Sequence, residues 1–137
     1  MARIKLDQEM LGLSSLIENQ AHVLVKDLFK EEETIYIIVA AGDIGKLLGK
    51  GGETVKRLQQ KLGKRIKAIE YDDEVDKFVK NIIYPLQVEE IVCEDSVICL
   101  KDSQKKTKSL LIGRNGRNLK IINRAVRRFF NVEVKVV

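Results

Sequence analysis

Between Leu47 and Leu58 the chain reads LLGKGGETVKRL, with three glycines gathered around one lysine between an apolar run and the start of a helical pattern. Glycines let the main chain come close to a ligand. A helix that follows turns its free N–H groups and the positive end of its dipole toward the loop. The chemistry this suits is anion binding, phosphate above all. The phosphate can belong to a nucleotide, to a metabolite or to a nucleic-acid strand, and each implies a different protein.

Spacing removes the nucleotide. A mononucleotide P-loop places four residues between its first glycine and the Gly-Lys pair, then a Ser or Thr for magnesium. Here three residues separate Gly45 from Gly49-Lys50, and Gly51 stands where the hydroxyl belongs. The dinucleotide fingerprint fails as well, because Gly49-Lys50-Gly51-Gly52 lacks its second two-residue gap. Catalysis finds no residues: His22 is the only histidine and falls in a predicted strand, and Glu31-Glu32 and Asp72-Asp73 fall in turns. Cys93 and Cys99 lack the paired spacing of a zinc site and read as buried free thiols. The expectation is no catalytic residue, no metal and no cofactor.

The stretch recurs. Sixty-four residues on, LIGRNGRNLKII sets Gly113, Arg114, Asn115 and Gly116 against Gly49, Lys50, Gly51 and Gly52, with Lys120 against Lys56. Charge follows the repeat. From Ile44 to Lys67 there are 8 Lys or Arg against the single acid Glu53, and from Lys101 to Arg128 there are 10 against the single acid Asp102. The whole chain carries only +5, so the residues outside these windows sum to −11. Two positive surfaces on an acidic body are the footprint of a polyanion partner. A nucleic-acid backbone fits: Lys50 and Arg114 would touch phosphate directly, Lys56, Arg57 and Lys61 would extend the track in the first copy, and Arg117, Lys120 and Arg124 in the second.

The elements that must hold these loops repeat too. Residues 7–19 place Met10, Leu13 and Ile17 at helical spacing, and AHVLVKDLFK and TIYIIVAA read as strands around an acidic turn. Asp43 is an N-cap for a short helix into the loop, a second helix runs from Glu53 to Leu62, and RIKAIEY is a third strand. The order is α-β-β-α-α-β. The second half repeats it: a helix over Asp73–Tyr84 stopped by Pro85, a hairpin from LQVEEIVC and SVICL, the lysine-rich KDSQKKTK, and a short helix into Gly113. A helix burying Leu119, Ile122 and Val126 follows, then the alternating strand NVEVKVV. The predicted fold is α+β, in two domains, 1–72 and 73–137, each a three-stranded sheet with helices on one face. With no flexible linker between them, the two are expected to pack closely.

A chain of 137 residues, 45% hydrophobic but with 5% aromatics and no Trp, builds its core from Val, Ile and Leu. MARIKLDQEM has no signal-peptide core and no run reaches the length of a membrane span, so a cytoplasmic protein without membrane association is expected.

LLGKGGETV and LIGRNGRNL resemble the I-G-x-x-G-x-x-[I/V/L] signature of KH domains, and the α-β-β-α-α-β order is that of the type II, prokaryotic form. More narrowly, GDIGKLLGKGGETVKRLQQKLGKRIKAIEYDDE, FVKNIIYP and LLIGRNGRNLKIINR resemble the archaeal NusA-like transcription factors, which are tandem KH proteins of about this length. The resemblance implies two modules that each clamp about four nucleotides of single-stranded RNA against their loops. It adds RNA polymerase or a transcription complex as an expected partner, and a role in transcription elongation or termination. The clamps fall on Gly49, Lys50, Gly51 and Gly52 and on Gly113, Arg114, Asn115 and Gly116. At 137 residues there is no room for the polymerase-binding and S1 domains that bacterial NusA adds. A monomer is expected. The rival readings are a KH protein of the ribosome or of RNA processing, and a module whose basic faces bind an acidic protein.

Overall fold

A computed structural model describes residues 2–137 of the chain, with side chains from residue 12 onward. The chain forms two compact units, Met1–Tyr71 and Asp72–Val137. Unit 1 contains α1 (Ala2–Ala21), β1 (Val25–Glu31), β2 (Thr34–Val39), α2 (Ile44–Leu48), α3 (Glu53–Leu62) and β3 (Arg65–Glu70). Unit 2 repeats the order with α4 (Val75–Ile83), β4 (Glu90–Glu94), β5 (Val97–Lys101), α5 (Lys105–Ile112), α6 (Arg117–Arg127) and β6 (Glu133–Val136). Both units are mixed α+β, each with one three-stranded sheet.

In unit 1, β1 and β2 form an antiparallel hairpin, and β3 joins β2 in parallel with Arg65 opposite Thr34. In unit 2, β4 and β5 form the hairpin and β6 joins β5 in parallel with Glu133 opposite Val97. Adjacent parallel strands need a crossover long enough to return the chain to the starting edge. Here a helix pair, α2–α3 or α5–α6, makes that crossover. The glycine loop is the corner between the two helices, so both flanking elements are fixed by their packing on the sheet.

That packing is apolar and repeats with the sequence. In unit 1, Ile17, Ala21 and Val23 join Ile35, Ile37 and Val39 of β2, Leu47 of α2 and Leu58 of α3 in one buried cluster. The same positions of unit 2 hold buried Ile98 and Leu100 on β5, Leu111 on α5 and Ile122 on α6. Each such Val, Ile or Leu side chain contributes about 1.5–3 kcal/mol, and Leu47 and Leu111 anchor the chain two places before each loop. In α4, Phe78 is fully buried and meets Phe129 edge-on at 5.7 Å between ring centres.

Several elements differ from the sequence-based expectations. The first helix runs on to Ala21, and β1 starts only at Val25. His22 ends that helix in a left-handed conformation (φ 57°), with its N–H donating to Glu18 O at 2.9 Å, so it lies in the connection and not in a strand. β4 likewise starts at Glu90 rather than Leu86. The lysine-rich segment is not a loop before a short helix, because α5 begins at Lys105. Leu119 is only half-buried, and Ala125 joins Ile122 and Val126 inside α6.

The cysteines are not buried: Cys93 is exposed and Cys99 partly so. Cys99 lies between Ile98 and Leu100 and so points to the opposite face of the sheet, while Cys93 sits on the outer strand beside the hairpin turn. Met10 lies outside the described side chains. Asp43 stands at the start of α2 but does not cap it; its carboxylate accepts the Leu24 N–H at 2.9 Å, tying α2 to the start of the sheet. Among the described residues, no helix is long and apolar enough to cross a membrane, and no cluster of three His, Cys, Asp or Glu could hold a metal.

Candidate nucleic-acid interface

The two loops have the same backbone. Gly49 (φ 72°, ψ −179°) matches Gly113 (φ 75°, ψ 172°), Gly51 (64°, 23°) matches Asn115 (58°, 27°), and Gly52 (74°, 16°) matches Gly116 (73°, 13°). The closing hydrogen bonds match as well. Gly49 N–H donates to Gly45 O at 3.0 Å and Gly113 N–H to Ser109 O at 2.8 Å. Gly52 N–H donates to Gly49 O at 3.3 Å and Gly116 N–H to Gly113 O at 3.2 Å. Three of the four loop residues therefore have positive φ or lead into it, which L side chains rarely adopt.

The first and last glycines serve different ends. A Cβ on Gly113 would lie 2.8 Å from both the backbone N and the Cβ of Asn118, and one on Gly49 would run into Thr54. The first glycine is thus demanded by the tight turn of one helix onto the next. A Cβ on Gly51, Gly52 or Gly116 would meet nothing within 4 Å. The outer side of the loop is open main chain, the side from which a sugar-phosphate strand would approach.

The side chains named from the sequence stand around that opening. Lys50, Lys56 and Arg57 are exposed in unit 1, as are Arg114, Asn115, Arg117 and Lys120 in unit 2, while the loop glycines are half-buried apart from the exposed Gly51. Among the described residues, the ion pairs Lys46–Asp43, Lys64–Glu33 and Lys77–Glu74 engage none of Lys50, Lys56, Arg57, Arg114 and Lys120. Their charge stays available to a ligand. Lys64 is committed elsewhere: its ammonium lies 2.6 Å from Glu33, which holds the Glu33 carboxyl below its usual range and raises Lys64.

A groove of about 480 Å³ opens beside the second loop, lined by Gly116, Leu119, Lys120, Asn123, Arg124, Arg127 and Glu133. Sequence reading missed Asn123, which braces it. Asn123 Nδ2 donates to Val134 O at 3.0 Å and to Leu119 O at 3.2 Å, and its Oδ1 accepts Val134 N–H at 2.8 Å, so one amide fixes α6 to the edge of β6. Gln59 takes that place in unit 1, its Oε1 accepting Ile66 N–H at 2.9 Å. The available signal was a carboxamide at matching places on two otherwise apolar helix faces.

Asn118 was missed too. Its Nδ2 donates to the carbonyls of Leu110 (3.2 Å) and Leu111 (3.0 Å), closing the end of α5 from the first turn of α6. Asn118→Ala should lower stability by about 1–2 kcal/mol, the cost of leaving helix-end carbonyls unpaired. A urea titration followed by circular dichroism measures it. Lys61 is exposed on α3 as well, and the counterparts of Arg57 and Lys61 in unit 2 are the uncharged Ile121 and Ala125. Exposed apolar side chains flank the loops, Leu48 (39%) in unit 1 and Leu110 (49%) and Ile112 (36%) in unit 2.

Comparison with known proteins gives this geometry a context. The family model described as KH domain matches residues 14–73. A probable transcription termination protein NusA of Methanocaldococcus jannaschii is 32% identical over 142 residues, covering 100% of this chain and 77% of the relative. Its namesake in Methanococcus vannielii is 37% identical over 128 residues, covering 90% of this chain and 72% of the relative. Among solved structures, the crystal structure of APE1850 superposes with a TM-score of 0.75 at 25% identity, covering 95% of this chain and 99% of that one.

Proposed function

The chain belongs to the family of the archaeal probable transcription termination protein NusA, and on that premise we propose that both of its glycine loops hold RNA. It is an RNA-binding transcription factor of the elongation and termination type. In finer terms, it is a pair of type II KH modules that bind single-stranded RNA without chemical change to it, within a transcription complex that includes RNA polymerase, and as a monomer. The observation that carries this reading is the loop built twice with the same dihedral angles, each time open outward and each time followed by exposed cations. Duplicating a demanding backbone with a cation kept at its second position, Lys50 and Arg114, is unexplained by a mere helix–helix corner, which tolerates many shapes.

In this reading the strand's phosphates lie over the open side of Gly51-Gly52 and Asn115-Gly116. Lys50, Lys56 and Arg57 meet them in the first copy, and Arg114, Arg117 and Lys120 in the second. Bases turn inward against Leu48, Leu110 and Ile112, because the chain has few aromatic rings to stack on.

The test is an anisotropy titration of labelled single-stranded RNA and of the matching duplex across a range of salt. Six phosphate contacts on single-stranded RNA should give a log–log slope of about −4, with the duplex bound far more weakly. Equal affinity for the two, or indifference to RNA, would favour the reading in which the basic faces meet an acidic protein.

A further inference from the structure

We propose that the two clamps are unequal, with the unit 2 loop a preorganised anchor and the unit 1 loop a weaker, adjustable grip held down by Glu53. The inference rests on the RNA-binding reading above and adds a division of labour to it. Because the two loops share one backbone, they form a natural comparison in which only side chains differ.

The first difference is charge at the mouth of the clamp. The residue that opens the helix after the loop is Glu53 in unit 1 and Arg117 in unit 2. With Lys50 and Arg114 included, the first mouth is neutral and the second carries two positive charges. Glu53 also places a carboxylate where the N–H groups and dipole of α3 would otherwise attract phosphate. In unit 1 a phosphate has to compete with a resident anion.

Beyond the mouth the helices are balanced: Lys56, Arg57 and Lys61 follow the first loop and Lys120, Arg124 and Arg127 the second. The unit 2 groove also holds Glu133 where unit 1 has Arg65, so the inequality lies at the mouth itself.

The second difference is stiffness. Unit 2 has Asn115 at the left-handed position where unit 1 has Gly51, and an asparagine there leaves the unbound loop fewer conformations. Asn118 adds its two bonds to the end of α5, whereas Thr54, its counterpart, brings one hydroxyl against Gly49. A loop already held in its bound shape loses less entropy on gripping a strand. Mouth charge and stiffness both favour unit 2.

The experiment uses the full chain and a mixed-sequence single-stranded RNA of about eight nucleotides, two KH footprints. Lys50→Asp with Gly51→Asp disables the first clamp, and Arg114→Asp with Asn115→Asp the second; circular dichroism checks each fold. Disabling the second clamp should cost at least about tenfold more affinity than disabling the first. Exchanging the mouth charges through Glu53→Arg with Arg117→Glu, a surface change that leaves both loops intact, should narrow or reverse that ratio. Equal losses, a larger loss from the first clamp, or an exchange that leaves the ratio unchanged would overturn the inference while RNA binding by the unaltered chain stands. Failure of the unaltered chain to bind RNA contradicts the underlying reading itself.

Discussion

Reversing charge in both loops at once, with Lys50→Asp, Gly51→Asp, Arg114→Asp and Asn115→Asp, is expected to weaken single-stranded RNA binding about 10³-fold. Two charge-assisted contacts at roughly 1.5–3 kcal/mol each are lost, and carboxylates are set against the phosphates in their place. The fold should survive. Asn115 already holds the left-handed conformation (φ 58°) that Gly51 adopts (φ 64°), so a short polar side chain is tolerated there. Each side chain also projects into open solvent and not into the sheet. A quadruple variant that keeps its circular dichroism spectrum and also its affinity would mean that RNA is held elsewhere.

Gly113→Ala should be strongly destabilising, at about 4 kcal/mol. Its backbone (φ 75°, ψ 172°) lies in a region essentially closed to other residues, at roughly 1–3 kcal/mol, and the added methyl would overlap Asn118 at 2.8 Å, adding roughly 1–3 kcal/mol more. Gly116→Ala makes the contrast. That residue is plainly left-handed (φ 73°, ψ 13°) with open space around it, so the cost should stay near 1–2 kcal/mol. The two urea midpoints should therefore separate clearly. Equal shifts would show that the first glycine is not the packing hinge of the crossover.

The division between those glycines bears on how the clamp works. A rigid inner glycine pins the two helices at a fixed angle, and a free outer one leaves the main chain bare. The same corner thus meets a structural demand on one side and offers a binding surface on the other.

What the sequence made legible was whatever is local and repeated. The loops stood out because glycine at positive φ has few substitutes and because the pattern returns 64 residues later. The bounds of α3, Glu53–Leu62, were readable because left-handed Gly52 and Gly63 bracket the helix. The end of α4 was marked by Pro85. Less was visible where a residue acts against its type. His22 closes α1 in a conformation usually left to glycine, so the helix read short and the strand long. Lys105, Lys106 and Lys108 read as a solvated loop, although lysine is a good helix former and their turn is anchored by Leu111 further on.

Long-range hydrogen bonds were the least legible. Asn123 and Gln59 reach strands that begin several residues downstream, and the partner of each is a backbone group with no side-chain signature. Asp43 had the right type for a cap, yet its carboxylate went to Leu24, 19 residues upstream, since the sheet start lay within reach. The groove at Gly116 depends on these braces, so its lining could only be seen once α6 and β6 were in place.

The central claim is that RNA lies along the two glycine loops, and an amide-resolved NMR titration of the full chain with single-stranded RNA tests it most directly. The largest shift changes should cluster at Gly49–Arg57 and at Gly113–Arg124, with the second cluster responding at lower RNA concentration. Changes concentrated on the hairpins β1–β2 and β4–β5, with both loops silent, would contradict it.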